Sequence, residues 1–199
     1  ACAARDAAQR GLSVALIDKG DFVSGNSSNS LKIVHGGLRY LQNADIKRMR
    51  ESIGERKALL RIAPHLVKPL PCLLPTYGLT TKSLPALTIA MILNDIISFD
   101  RNHGQDKESQ KIPRCQTVSK EETLKLLPGL DPQGVTGAAL WHDAQMHSSE
   151  RLVLAFVKAA VNDGAVTANY LEALELKRQG KKISFVKVRD RLGSDEFEI

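Results

Sequence analysis

Residues 13–40, SVALIDKGDFVSGNSSNSLKIVHGGLRY, decide how this chain is read. Ser13–Asp18 is an apolar run ending in an acid, the pattern of a buried parallel strand. A polar loop of Ser, Asn and Gly follows. Then His35-Gly36-Gly37-Leu38-Arg39-Tyr40 sets two adjacent glycines beside a histidine, an arginine and a tyrosine. An acid at the tip of the second strand of a βαβ unit is where dinucleotide-binding folds hold an adenosine ribose. A glycine pair lets backbone approach a flat cofactor closely, and a neighbouring guanidinium suits an anionic substrate.

The residues before that strand extend the pattern. Ala1–Arg10, ACAARDAAQR, favours a helix, and Gly11 stands where a C-terminal cap glycine belongs. Helix, glycine, strand and acid form the second half of a Rossmann βαβ unit. The acid of such a unit lies about 20 residues after the G-x-G-x-x-G turn. That turn and its strand are therefore expected just before Ala1, and the chain reads as an internal fragment.

Each residue also has a plainer reading. Asp18 could cap or ion-pair at a strand end. Ser24, Asn26, Ser27 and Ser28 could form an ordinary polar turn; the sharper reading gives this loop to phosphate, through its backbone N–H groups and a following helix N-terminus. Gly36-Gly37 could be a helix break, His35 a satisfied core histidine, and Arg39 the partner of a structural carboxylate. A planar guanidinium also matches a phosphate bidentately.

The motifs RGLSVALIDKGDF, VSGNSS and KIVHGGLRYL resemble the FAD-dependent glycerol-3-phosphate dehydrogenases, within the D-amino-acid-oxidase-like flavoproteins. ALWHDAQMHSSERLVLAFVKAAVNDGA is similar to a second family segment more loosely, and so is KVRDRLGSDEFEI at the end. The resemblance spans the whole chain, while the chain spans only part of the family's length. It implies FAD as cofactor and an α/β fold, α+β overall. A Rossmann-like FAD-binding domain (1–65 and 146–199) is interleaved with part of a substrate-covering domain (66–145). It implies cofactor contacts from Asp18, Lys19, Ser24, Asn26, Ser27, Ser28, Gly36 and Gly37, and catalytic contacts from His35, Arg39 and Tyr40. The implied reaction oxidises sn-glycerol 3-phosphate to dihydroxyacetone phosphate, with electrons passed to a quinone or oxygen. The alternatives are an oxidase of the same superfamily acting on an amino acid or 2-hydroxy acid, and a non-catalytic binding module. Asp143, Gln145 and Arg151 share a family segment, but no separate chemistry assigns them a role, and His103 and His147 receive none.

The composition is that of a globular protein: 43% hydrophobic and 25% charged residues among 199. Cys2, Cys72 and Cys115 are far apart, with no C-x-x-C and no metal-ligand spacing. Free thiols, a reducing compartment and no metal are expected, which points to the cytoplasm. The net charge of +6 is spread over short patches such as Lys47–Arg50 with Arg56-Lys57, read as solvated faces. With 5% aromatic residues and no recognition module, nucleic acid is not an expected partner. The charge does suit partial, electrostatic contact with the inner face of a membrane.

Further along, 44–62 reads as a helix with Ile46, Met49, Ile53 and Leu60 on one face. Pro69–Tyr77, with three prolines, reads as an edge strand. Ser83–Phe99 is an apolar helix too short to cross a bilayer, which needs roughly 20 apolar residues. It is read as buried, or more sharply as a surface helix that touches lipid. Arg101–Arg114 reads as a polar loop. Ser119-Lys120-Glu121-Glu122 opens a short capped helix. A strand over 134–143 and an amphipathic helix over 148–163 follow, and strands near 166–177, 182–190 and 195–199 close as a meander.

Overall fold

The computed structural model describes residues 1–78 and 83–199. In chain order the helices are α1 (Cys2–Gln9), α2 (Ile46–Ile62), α3 (Leu84–Ile97), α4 (Lys120–Leu126) and α5 (Ser149–Asn162). The strands are β1 (Ala15–Ile17), β2 (Ile33–Val34), β3 (Val67–Tyr77), β4 (Gln116–Ser119), β5 (Val135–Met146), β6 (Val166–Ala168), β7 (Leu171–Gln179), β8 (Lys182–Asp190) and β9 (Glu196–Glu198). The fold is mixed α/β, with parallel and antiparallel pairing. The residues form two compact units, 1–32 with 148–199, and 33–147. The sequence placed its boundaries at 65/66 and 145/146. Residues 33–65 instead pack with the following strands, because β2 pairs with β5 and α2 lies against β3 and β5.

In the first unit β1 pairs in parallel with β6, the two-strand remnant expected of a doubly wound sheet. α1 packs on α5 through small residues. Ala8, Ala160 and Ala165 are buried, with Ala4 and Val14 against them. Asp163, just past α5, accepts from Arg5 Nε at 2.7 Å and from Gln9 Nε2 at 2.9 Å, tying the two helices together. Ser148 caps α5 by accepting the Arg151 N–H at 3.1 Å. The strand anticipated over 166–177 is two strands. Tyr170 has φ 55°, and this left-handed residue separates β6 from β7. The chain therefore leaves the parallel pair and begins the antiparallel β7–β8–β9 meander.

The second unit is built on β5, which carries β3 on one side and β2 and β4 on the other. β3 pairs with it from Val67↔Met146 to Tyr77↔Val135 and forms the sheet edge. Pro69, Pro71 and Pro75 share one parity along β3, so their missing N–H groups all belong to its unpaired side. α2 is capped by Asp45, whose side chain accepts the Arg48 N–H at 3.1 Å. Its buried stripe is Met49, Ile53, Arg56 and Leu60, while Ile46 is exposed. Ser119 caps α4 by accepting the Glu122 N–H at 3.2 Å.

One reading is refined and one changes here. The 101–114 segment is a polar, mostly exposed loop that is pinned at a few buried points, Arg101, Gln105, Gln110 and Ile112. Asn102 bonds both the N–H and the carbonyl of Ile112, and Gln105 and Gln110 donate to the Lys57 and Leu60 carbonyls. The Gln105 and Gln110 side chains are buried, and the amide N–H of each donates to a backbone carbonyl in place of water; Asn102 is half-buried. α3 is not a buried helix. Met91 alone among its side chains is buried, while Ile89, Ile92, Leu93, Ile96 and the following Phe99 are exposed. Its C-terminal end is fixed to α2 by ion pairs from Arg50 and Lys57 to Asp100, and these hold the Asp100 carboxyl well below the usual carboxylate range.

Candidate functional site

In the first unit, Asp18 sits at the carboxyl end of β1. Its N–H donates to the Ala168 carbonyl at 3.0 Å, and its own carbonyl accepts from Leu171 N–H at 2.8 Å. The side chain is half-buried. Oδ1 accepts the Gly20 N–H at 2.9 Å, and Oδ2 has no partner among the described residues. A fixed carboxylate with a free oxygen at a strand tip is the acceptor to which a ribose hydroxyl donates, so this position fits FAD. Lys19 is exposed beside it.

Ser24, Asn26 and Ser27 are exposed and Ser28 half-buried, in a run of turns over 22–28. No helix starts after this loop; the chain passes to β2. The reason lies in the short polar side chains. Ser28 Oγ and Asn29 Nδ2 both donate to the Gly25 carbonyl, and such local bonds favour turns over helix. The expected helix N-terminus is thus replaced by open backbone. Ser149 Oγ, at the start of α5, donates to the Ser27 carbonyl and anchors the loop.

In the second unit, β2 delivers the chain into His35–Tyr40, and a 3₁₀ helix over Leu38–Asn43 follows. His35, Gly37, Leu38, Arg39, Tyr40, Gln42, Leu74, Trp141 and Asp143 line a cavity of about 550 Å³. His35 and Tyr40 meet edge to face, with centroids 5.9 Å apart, and the Arg48 guanidinium lies over the Tyr40 ring, 5.6 Å from its centre. Arg39 is exposed and makes no ion pair or hydrogen bond with any described residue.

Both glycines have an internal reason. A Cβ at Gly36 would overlap the Arg56 guanidinium at Nη1, Cζ and Nη2. Gly37 has φ 79°, and a Cβ there would lie 3.1 Å from the Cα of Met49, from the Cβ of Ser52 and from the Tyr40 ring. The pair lets the turn lie flat against α2.

Two residues to which the sequence gave no site role lie at the centre of this arrangement. Asp143 Oδ1 accepts the Gly36 N–H at 2.6 Å and Arg56 Nη1 at 3.0 Å. Its Oδ2 accepts Trp141 Nε1 at 3.3 Å, and Arg56 also donates to the His142 carbonyl at 2.7 Å. Arg56 is 5% exposed and Asp143 8%. Burial pushes the Arg56 guanidinium below its ordinary value, and the Asp143 charge opposes that. Burial, then Arg56, likewise lowers the neighbouring His142, whose Nδ1 is enclosed without a partner among the described residues. A signal for Arg56 was present, since it occupies the i+7 position of the stripe that begins at Met49. Asp143 shares a strand face with Trp141, two residues apart.

A glycerol-3-phosphate dehydrogenase of Synechocystis sp. is 36% identical over 197 residues, covering 98% of this chain and 34% of the relative. An alpha-glycerophosphate oxidase of Lactococcus lactis is 36% identical over 197 residues, covering 97% of this chain and 31% of the relative. The chain thus spans about a third of the length of these curated relatives. A crystal structure of a Bacillus halodurans glycerol-3-phosphate dehydrogenase complexed with FAD superposes with a TM-score of 0.67 at 24% identity, covering 98% of this chain and 29% of that one. That likeness fixes the fold: a mixed α/β chain of the same topology. The model of one protein family, described as FAD dependent oxidoreductase, matches residues 1–198, and this chain belongs to that family.

Proposed function

We propose that this chain is part of an FAD-dependent enzyme that oxidises sn-glycerol 3-phosphate to dihydroxyacetone phosphate. One observation carries the reading of an anionic substrate: Arg39 stands at the wall of the cavity beside His35, with no ion pair to a carboxylate of the described residues, and the HGGLRY context favours a phosphate ester over a carboxylate. An unpaired guanidinium there offers a planar pair of donors to a phosphate monoester. The names of the similar dehydrogenase and oxidase support the same substrate.

Bound FAD supplies the hydride acceptor, chemistry that no side chain can perform. In the first unit, Asp18 would hold the adenosine ribose, with Lys19 and the open backbone around Ser24, Asn26, Ser27 and Ser28 near the phosphates. In the second, the flat Gly36-Gly37 turn would let the cofactor ring come close. Arg39 holds the substrate phosphate and so places the C2 hydroxyl. His35 takes the proton of that hydroxyl, and Tyr40 braces the imidazole through its ring edge. We propose FAD binding for 1–65 and 146–199 and substrate cover for 66–145, a functional division in which 33–65 serve the cofactor although they pack within the second unit. Electrons leave to oxygen, as the oxidase relative suggests, or to a quinone.

The test is the full-length protein with an artificial electron acceptor. It should purify with flavin absorbance and turn over glycerol 3-phosphate well ahead of glycine or lactate. Absence of flavin would leave a binding module, and faster turnover of the amino acid or the 2-hydroxy acid would replace the substrate.

We further propose peripheral contact with anionic lipid. No helix among the described residues is long and apolar enough to cross a membrane. The outer face of α3 nevertheless exposes Ile89, Ile92, Leu93, Ile96 and Phe99 on a chain of net charge +6. Electrostatic attraction alone would vanish with screening, since the Debye length falls to about 3 Å at 1 M salt. An apolar face inserted at the headgroup boundary resists it. Co-sedimentation of the full-length protein with phosphatidylserine vesicles is expected to persist at high salt and to fall on Ile92→Asp with Ile96→Asp. Binding that disappears with salt alone would return the contact to surface charge.

A further inference from the structure

We propose that Arg56 and Asp143 are positioning residues that hold the His35–Tyr40 turn in its working conformation. The inference rests on the reading of that turn as the substrate-holding wall. Three elements converge on one carboxylate: the turn through the Gly36 N–H, α2 through Arg56, and β5, which carries Asp143 itself. The Gly36 contact, at 2.6 Å, is short for an N–H donor, in the direction expected when the acceptor is a carboxylate. Arg56 Nη1 donates to the same oxygen at 3.0 Å and is braced by the His142 carbonyl at 2.7 Å. Its guanidinium also fills the space where any side chain at position 36 would start. The turn is therefore bonded at its amide and blocked at its Cα. His35 precedes Gly36 directly and Arg39 follows three residues later, so both inherit their placement from this contact.

A buried ion pair is a poor way simply to fasten a helix to a sheet. Apolar residues of the same volume do so at least as well, because they avoid desolvating two charges. What apolar residues cannot do is accept the Gly36 N–H. Only an acceptor at 143 does that, and only a cation behind it balances the buried charge. The carboxylate is also exposed to the cavity on one side, where Trp141 Nε1 fixes its second oxygen at 3.3 Å. The pair thus links the rigid α2–β5 layer to the segment that needs accurate placement.

The experiment uses the full-length flavoprotein. Hydrogen exchange read by mass spectrometry needs no substrate. In the wild-type protein, the Gly36 amide should be as protected as the β5 amides, although its neighbours His35 and Arg39 are exposed. Rapid exchange there overturns the proposal without any variant. In Arg56→Met, which keeps the packing volume but leaves the Asp143 charge unpaired, exchange should rise most in peptides covering 35–43, beyond any general rise in α2 and β5, and stay unchanged in α5. Calorimetric binding of 2-phosphoglycolate, a phosphate monoester with no hydroxyl to oxidise, should weaken about 10-fold. Turnover per bound flavin, as kcat/KM, should fall roughly 10- to 100-fold, the range expected when reacting groups are misplaced by about an ångström. Arg56→Lys should recover part of each loss. A purely structural pair would lower the melting temperature and raise exchange in 35–43 no more than in α2 and β5, with kcat/KM per folded molecule unchanged, and that result overturns the proposal. If the wild-type protein ignores 2-phosphoglycolate while exchange behaves as stated, the substrate reading fails and the positioning role stands.

Discussion

Arg39→Ala in the full-length enzyme is expected to lower kcat/KM for glycerol 3-phosphate by roughly 10- to 150-fold. The range follows from the loss of a hydrogen bond to a charged group, about 1.5 to 3 kcal/mol, at about 1.4 kcal/mol per decade. The structure sharpens the expectation, because Arg39 makes no ion pair with the described residues. Its removal breaks no internal bond, so folding should be nearly unaffected. FAD content should stay near wild type. Arg39→Lys should restore only part of the rate, since an ammonium cannot reproduce the planar fork. Steady-state kinetics, together with the flavin absorbance ratio of each variant, checks all three statements. Loss of flavin at constant kcat/KM per bound FAD would mean that Arg39 holds the cofactor, and the substrate assignment would be wrong.

Gly36→Ala is expected to destabilise the second unit by about 3 to 5 kcal/mol, the cost of breaking a buried ion pair. The new methyl group would occupy the space of the Arg56 guanidinium, which cannot swing away without abandoning Asp143 and the His142 carbonyl. Native-state hydrogen exchange of β5 and α2 amides should speed up by roughly 10²- to 10³-fold, at about 1.4 kcal/mol per decade. Gly54→Ala is the internal comparison. Gly54 lies inside α2, and a Cβ there meets nothing within 4 Å. That substitution should stabilise the helix by about 0.5 to 1 kcal/mol. If both variants were equally stable, the guanidinium would not be fixed where the geometry places it.

The two glycine predictions differ in sign although the residues are the same, and no local signal names the group that Gly36 must admit. Gly36 reads from sequence as a place for close approach, and it is one. The group that approaches within this unit is a side chain from a helix 20 positions further on. α2 itself was legible, since Met49, Ile53 and Leu60 recur at helical spacing and are buried. Arg56 occupies the same stripe, but a charge on an apolar face has no sequence-level partner until the sheet supplies one. Asp143 lies 87 residues from it along the chain. The turn loop shows the opposite failure. Its residues were picked out, yet a helix was expected after it because anion sites commonly have one. The local bonds of Ser28 and Asn29 to Gly25 close turns instead.

The sequence by itself determined the elements whose signals are local. These are α1 before Gly11, the strand ending at Asp18, the proline-marked edge strand, the helices capped by Ser119 and Ser148, and the HGGLRY motif that identifies the family. Periodicity, caps and turn chemistry act over a few residues, so they can be read without the fold. Tertiary structure alone decided what each surface faces. It exposed α3, whose composition suits a core. It buried Gln105 and Gln110 of the polar 101–114 loop by giving them backbone partners. It also set Arg56 behind the turn that carries His35 and Arg39. Burial and charge pairing are properties of residues brought together from distant parts of the chain, and no local pattern encodes them.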